Sequence, residues 1–151
     1  MEKVTSGYLG GAQNGAKYET VSSGSTKHAE TIEIVFNPQK VSYKDLLEVF
    51  FMFHDPTTVN KQGADSGTQY RSEIFAVDKK QINLASKMIK SLSNKFENKI
   101  VTVVSKFESF YPAEDYHQKY YLKNGDAPYC QIVISPKLEK LKKEGKKFLK
   151  N

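Results

Sequence analysis

Between Thr31 and Phe36 the chain alternates. Ile32, Ile34 and Phe36 fall on one side and Thr31, Glu33 and Val35 on the other, the period of a strand with one face in a core. Asn37-Pro38 closes that run. Ser42 then precedes Asp45 by three residues, the spacing of a capping box. Leu46, Leu47, Val49, Phe50 and Phe53 follow at helical spacing, which predicts a helix over 43–53 packed on a sheet. Further on, residues 72–77 read as a strand. Asp78 reads as the N-cap of a helix over about 79–96, with Ile82, Ala85, Ile89 and Leu92 or Phe96 turned inward. Residues 100–105 form another strand. Pro112 opens a short helix through Tyr121, stopped by Asn124-Gly125. Cys130–Ile134 reads as a short strand, and Ser135-Pro136 as the N-cap and first residue of a lysine-rich terminal helix over about 136–150.

Two polar stretches interrupt this pattern. Residues 1–30 are rich in Gly, Ser and Thr, with Gly10-Gly11, an Asn14-Gly15 turn signal and a Ser/Gly/Thr run over 22–26. They read as a short strand at most, then a long loop. Residues 54–71 form a second long loop, and loops of that length in a compact domain are often functional. Alternating strands and helices with long polar connections predict an α+β fold: a two-layer α/β sandwich with its site on loops.

The length of 151 residues suits one domain, 1–151, with a real core. An apolar share of 38% and a charged share of 26% place the chain among soluble globular proteins. No apolar run is long enough to span a membrane, and the first residues lack the pattern of a signal peptide, so a cytoplasmic location is expected. Cys130 is the one cysteine, which excludes an intrachain disulfide framework and a multi-cysteine zinc site. Of the net charge of +6, +5 lies after Pro136. Such a terminal lysine run reads as a solvated helix face more readily than as a nucleic-acid surface.

Candidate chemistry sits in four polar clusters: Tyr18 with His28-Ala29-Glu30; His54-Asp55-Pro56-Thr57-Thr58; the segment 63–72 containing Asp65, Tyr70 and Arg71; and the segment 110–118 containing Glu114, Asp115 and His117. Each has a plainer reading. Glu30 could be an exposed strand residue, Asp55-Pro56-Thr57-Thr58 a locally capped turn, Tyr70 and Arg71 strand-edge residues, and Glu114 and Asp115 acids favoured in a first helical turn. The three histidines lie in separate segments, and neither His-Glu-x-x-His nor a phosphate-binding loop is present, so no metal or nucleotide site is expected.

Taken in order, Gly7-Tyr8-Leu9-Gly10-Gly11, Tyr18, His28-Ala29-Glu30, His54-Asp55-Pro56-Thr57-Thr58, Gln62-Gly63, Gly67-Thr68-Gln69-Tyr70-Arg71-Ser72 and Ala113-Glu114-Asp115-Tyr116-His117-Gln118 closely resemble the A-type peptide methionine sulfoxide reductases (MsrA), from about residue 6 to 137. The resemblance implies reduction of methionine S-sulfoxide, free or in proteins, by a cysteine thiolate whose sulfenic acid is resolved by a second thiol and reset by thioredoxin or another dithiol. It implies no bound cofactor, no nucleic-acid or membrane partner, and a monomer. It assigns Glu30 as proton donor, Tyr18 and Tyr70 as hydrogen-bond donors to the sulfoxide oxygen, and Asp65 as an acid that orders the site. The chemistry agrees: phenols are apt donors to a sulfoxide oxygen, and a partly buried glutamate holds its proton more readily.

The family fold resembles a ferredoxin-like α/β plait whose first strand is central. Its nucleophile lies in a Gly-Cys-Phe-Trp segment that ends this strand and opens the first helix, and whose aromatics form the pocket for the substrate methyl. This sequence has no Trp and no Cys before Cys130, and alignment back from Tyr18 places that segment ahead of Met1. The expectation is therefore a family member given without its first strand and nucleophile, inactive as it stands. Cys130 has two readings, a resolving thiol or a small buried hydrophobe on a strand. Two other readings of the whole remain beside the reductase: a non-catalytic remnant that binds methionine or methionine-sulfoxide peptides, and a basic nucleic-acid binder resting on the terminal lysines alone.

Overall fold

A computed structural model of the chain describes residues 1–11 and 16–149. The Asn14-Gly15 turn and Lys150 lie outside the described residues. The fold is mixed α+β, and its contacts gather into two compact units, Met1–Glu114 and Asp115–Asn151.

In the first unit β1 (Lys3–Leu9) lies between β2 (Ala29–Val35) and β7 (Tyr111–Pro112), antiparallel to both. The register sets Tyr8 opposite Glu30 and Leu9 opposite Ala29. Successive side chains alternate between faces. Thr5, Leu9 and Ala29 share one buried face, while on the other Tyr8 packs with Ala113 and with Val21 of a short helix, α1 (Tyr18–Ser22). The first 30 residues thus hold a full seven-residue strand and a helix, where only a short strand and a loop were expected. The alternation at 31–36 does form a strand, but Ile32 is 58% exposed rather than in a core. It faces Ser6, beyond the small cluster gathered around Tyr8.

Pro112 does not open a helix. It pairs with Gly7 in β7, at the sheet edge, where its missing N–H is tolerated, and the next amide, Ala113, donates to Ser6 at 2.9 Å. Gly7 is required there. A Cβ at that position would overlap the Phe110 ring and the Tyr111 carbonyl. Gly7→Ala is expected to push β7 off the sheet and cost about 1–3 kcal/mol, seen as a lower denaturant midpoint at unchanged slope.

The helix over 43–53 is found as α2 (Tyr43–Phe53). The Ser42 hydroxyl accepts from the Asp45 amide at 3.1 Å and the Asp45 carboxylate accepts from the Ser42 amide at 3.0 Å, while Leu47 and Phe51 are buried. β3 (Lys61–Gln62) and β4 (Asp65–Ser66) make a small hairpin within the expected loop, turning at Gly63 with φ +61°. β5 (Glu73–Ala76) and β6 (Val103–Lys106) pair in parallel and are joined by α3 (Lys79–Leu92), since parallel neighbours need a crossover. Asp78 caps α3 by accepting from the Gln81 amide at 2.7 Å, and Ala85 is fully buried. The helix stops at Leu92 rather than 96, where the Ser93 hydroxyl bonds back to the Lys90 carbonyl at 2.8 Å. The strand at 100–105 begins late because the Val101 amide donates to Pro56 at 2.8 Å instead of to β5.

In the second unit the helix expected through Tyr121 is a single 3-10 turn, Asp115–His117, followed by α4 (Tyr120–Lys123), which ends at Asn124 as expected. Cys130–Ile134 is not a strand. It is a wide helical turn that runs directly into α5 (Ser135–Glu144). The Gln131 amide donates to Ala127 at 3.1 Å, and its side chain holds the Gly125 carbonyl at 2.7 Å. The β-branched run suits a strand locally, yet Ile132 is 75% exposed. Without a pairing edge, local helical hydrogen bonds satisfy the backbone instead. Ser135 is consequently inside a helix already under way and caps nothing. The lysine-rich helix ends at Gly145, short of the expected 150, and Lys142 pairs with Glu139 at 2.7 Å. No helix among the described residues is long and apolar enough to cross a membrane.

Candidate functional site

Four of the expected site residues converge in the first unit. Glu30 is the second residue of β2. Tyr18 is the first residue of α1, Asp65 lies on β4, and Tyr70 ends a 3-10 turn, Thr68–Tyr70. The Tyr70 phenol lies near enough to the Glu30 carboxyl to favour its ionised form. The Glu30 pKa is nevertheless raised, first by loss of water around the carboxyl, then by the Asp65 charge, with Tyr70 opposing. Glu30 is exposed as a residue, so this loss of water is partial. The Tyr70 phenol is also held more tightly to its proton, by burial and then by Glu30, Asp65 and Tyr18. The cluster is thus a half-open, acidic surface in which a carboxyl and a phenol both resist ionisation. It can donate hydrogen bonds and a proton to a polar oxygen.

The sequence clusters supply the framework as well. Gln62 closes the 54–62 segment: its Oε1 accepts from the Asp55 amide at 3.0 Å, and its Nε2 reaches the His54 ring at 2.9 Å and the Asp55 carbonyl at 3.2 Å. His54 stacks on Phe50 at 4.5 Å. The Asp55 carboxylate accepts from the Thr57 hydroxyl at 2.6 Å and amide at 2.9 Å, and these bonds hold its pKa low. That stretch is a locally capped turn, the plainer of its two readings, and it leads into the hairpin that bears Asp65. Arg71 is more than a strand-edge residue. It pairs with Glu73 at 2.6 Å and donates to the carbonyls of Lys27 and Thr68 at 3.1 and 3.0 Å, joining the approach to β2 to the turn that carries Tyr70. His28 is buried edge-on to Tyr111, and its pKa is lowered by burial and by Arg71, which keeps it neutral.

Two contacts were not foreseen from the sequence. Glu114, read as a first-turn acid, instead points back into the first unit, where its carboxylate accepts from the Tyr8 hydroxyl and from the Tyr18 amide, each at 2.9 Å. Gln69 donates to the Ser22 carbonyl at 2.8 Å. Both residues lay within recognised motifs, but their partners are distant in sequence. Cys130 belongs to the second unit and is fully buried. Among the described residues no three His, Cys, Asp or Glu side chains gather as metal ligands.

A family model described as peptide methionine sulfoxide reductase matches residues 1–149. A protein of a Nitratiruptor species named peptide methionine sulfoxide reductase MsrA is 50% identical over 140 residues, covering 93% of this chain and 80% of that protein. Among solved structures, Mxr1 from Saccharomyces cerevisiae in reduced form superposes with a TM-score of 0.79 at 37% identity, over 84% of this chain and 74% of that one. Mxr1 in complex with Trx2 superposes with a TM-score of 0.53 at 26% identity, over 82% of this chain and 65% of that one.

Proposed function

The chain belongs to the peptide methionine sulfoxide reductase family, and on that premise we propose that Tyr18, Glu30, Asp65 and Tyr70 bind and protonate the oxygen of a methionine S-sulfoxide. The observation that carries this reading is the raised pKa of Glu30, poorly solvated and set beside Asp65 and the Tyr70 phenol. Tyr18 and Tyr70 donate to the sulfoxide oxygen. Glu30 supplies a proton, and its hold on that proton is strengthened first by loss of water around the carboxyl and then by the Asp65 charge. In the overall reaction two thiols are oxidised to a disulfide, the sulfoxide becomes a thioether, and its oxygen leaves with two protons as water. A dithiol protein of thioredoxin type is the reductant, a reading supported by the Trx2 complex of the related Mxr1. We further place the protein in the cytoplasm as a monomer, one domain spanning both units, with a methionine side chain in a protein or free as its substrate.

The one thiol in the 151 residues is Cys130. Its complete burial favours a second reading, in which this chain binds sulfoxide peptides without reducing them. Cys130 is expected to stay unmodified by Ellman's reagent in the native protein and to react stoichiometrically once denaturant exposes it. The two readings separate in one experiment. A peptide with a single methionine S-sulfoxide is incubated with the chain and dithiothreitol, and methionine formation and binding are both measured, with the R epimer as control. Turnover of the S epimer alone establishes the reductase. Binding without turnover establishes the module. An absence of both eliminates the oxygen-binding site.

A further inference from the structure

We propose that Gln69 is a positioning residue that holds Tyr18 and Tyr70 in register with one another by tying the turn that carries Tyr70 to the helix that carries Tyr18. The proposal rests on the reading of Tyr18 and Tyr70 as partners of one substrate oxygen. Gln69 is 5% exposed and adjoins Tyr70 in the 3-10 turn. Its Nε2 donates to the carbonyl of Ser22, the last residue of α1, at 2.8 Å across 47 positions of sequence. The same side chain also acts on the Tyr70 phenol, lowering its pKa against the larger effect of burial. A flipped amide would set oxygen against the Ser22 carbonyl oxygen, which fixes its orientation. The Oε1 is left buried without a partner, a penalty consistent with a geometry governed by the donor side.

The helix α1 has five residues, too few to hold its place by its own hydrogen bonds. It is tied at both ends, by Glu114 at the Tyr18 amide and by Gln69 at the Ser22 carbonyl. Gly67, whose φ is +147°, makes room for the Gln69 amide: a Cβ there would overlap it. A side chain that only filled space would need neither the donor contact to Ser22 nor this clearance.

The test uses the whole chain, isotope-labelled for NMR, with the S-sulfoxide peptide as probe. Gln69→Leu and Gln69→Glu keep the volume and remove the donors. In both, the ring signals of Tyr18 and Tyr70 should move together, and the Tyr70 phenol should titrate at higher pH. Peptide affinity should fall about tenfold, the effect of one lost hydrogen bond of ordinary strength. Unmoved ring signals and an unchanged Tyr70 titration in a folded variant overturn the proposal. If neither variant folds, the wild-type chain decides: nuclear Overhauser contacts from the Gln69 side-chain amide protons to Ser22 support it, and their absence overturns it. Should the ring signals move while the wild-type chain ignores the peptide, the positioning role stands and the substrate reading alone fails.

Discussion

Glu30→Gln lowers thiol-dependent reduction of a methionine S-sulfoxide peptide by roughly 10²–10⁴-fold, the usual contribution of a positioned general acid. The reasoning is electrostatic. Sulfur–oxygen cleavage builds negative charge on an oxygen that must leave as water, and Glu30 is the carboxyl whose surroundings favour the protonated form. An amide can still donate a hydrogen bond but has no proton to surrender. Tyr18→Phe and Tyr70→Phe each cost less, because one phenol remains. Equal and negligible effects of all three substitutions in a kcat/KM comparison would remove the assignment. If the chain binds without turnover, the same order is read in peptide affinity. Stability moves the other way. A carboxyl with a raised folded-state pKa contributes stability below its unfolded pKa, near 4.5, and loses it as pH rises through the folded value. At neutral pH Glu30→Gln therefore removes a poorly solvated charge beside Asp65. Its thermal midpoint should equal or exceed that of the wild type there, and this advantage should shrink on acidification.

Leu9→Ala is expected to destabilise the fold by about 2–5 kcal/mol. Leu9 is 2% exposed and ends the central strand of the three-stranded sheet, opposite Ala29. Removing its branched end forfeits the transfer energy of the lost carbons and leaves a cavity that a strand paired on both sides cannot easily collapse. Thermal unfolding should shift down by roughly 2–4 °C for each kcal/mol in a chain of this size. Leu122→Ala is the control. Leu122 is 80% exposed, and its replacement should stay within about 0.5 kcal/mol. Similar midpoints for the two variants would contradict the packing described for β1. Because Glu30 follows Ala29 directly, Leu9→Ala should also blunt the peptide response, joining the core of the first unit to its site.

Some of this protein was legible in the sequence alone. The capping box at Ser42 and Asp45 and the spacing of Leu47 and Phe51 located α2 to the residue, and Asp78 marked the start of α3. These signals are local: a cap joins groups three residues apart, and an amphipathic face repeats within a turn. The ordered motifs around Tyr18, Glu30, Asp65 and Tyr70 carried the family. Tertiary structure decided what depended on distant partners. Pro112 is in a strand because Gly7 is there to pair with it, and Cys130–Ile134 is helical despite its β-branched residues. Gln69 and Glu114 meet α1 across 47 and 96 positions, separations at which no periodicity survives. The sequence by itself determined which residues could donate a proton. Only the folded chain set Glu30 beside Asp65 and Tyr70, where a shared loss of water and a neighbouring charge incline it to keep its proton.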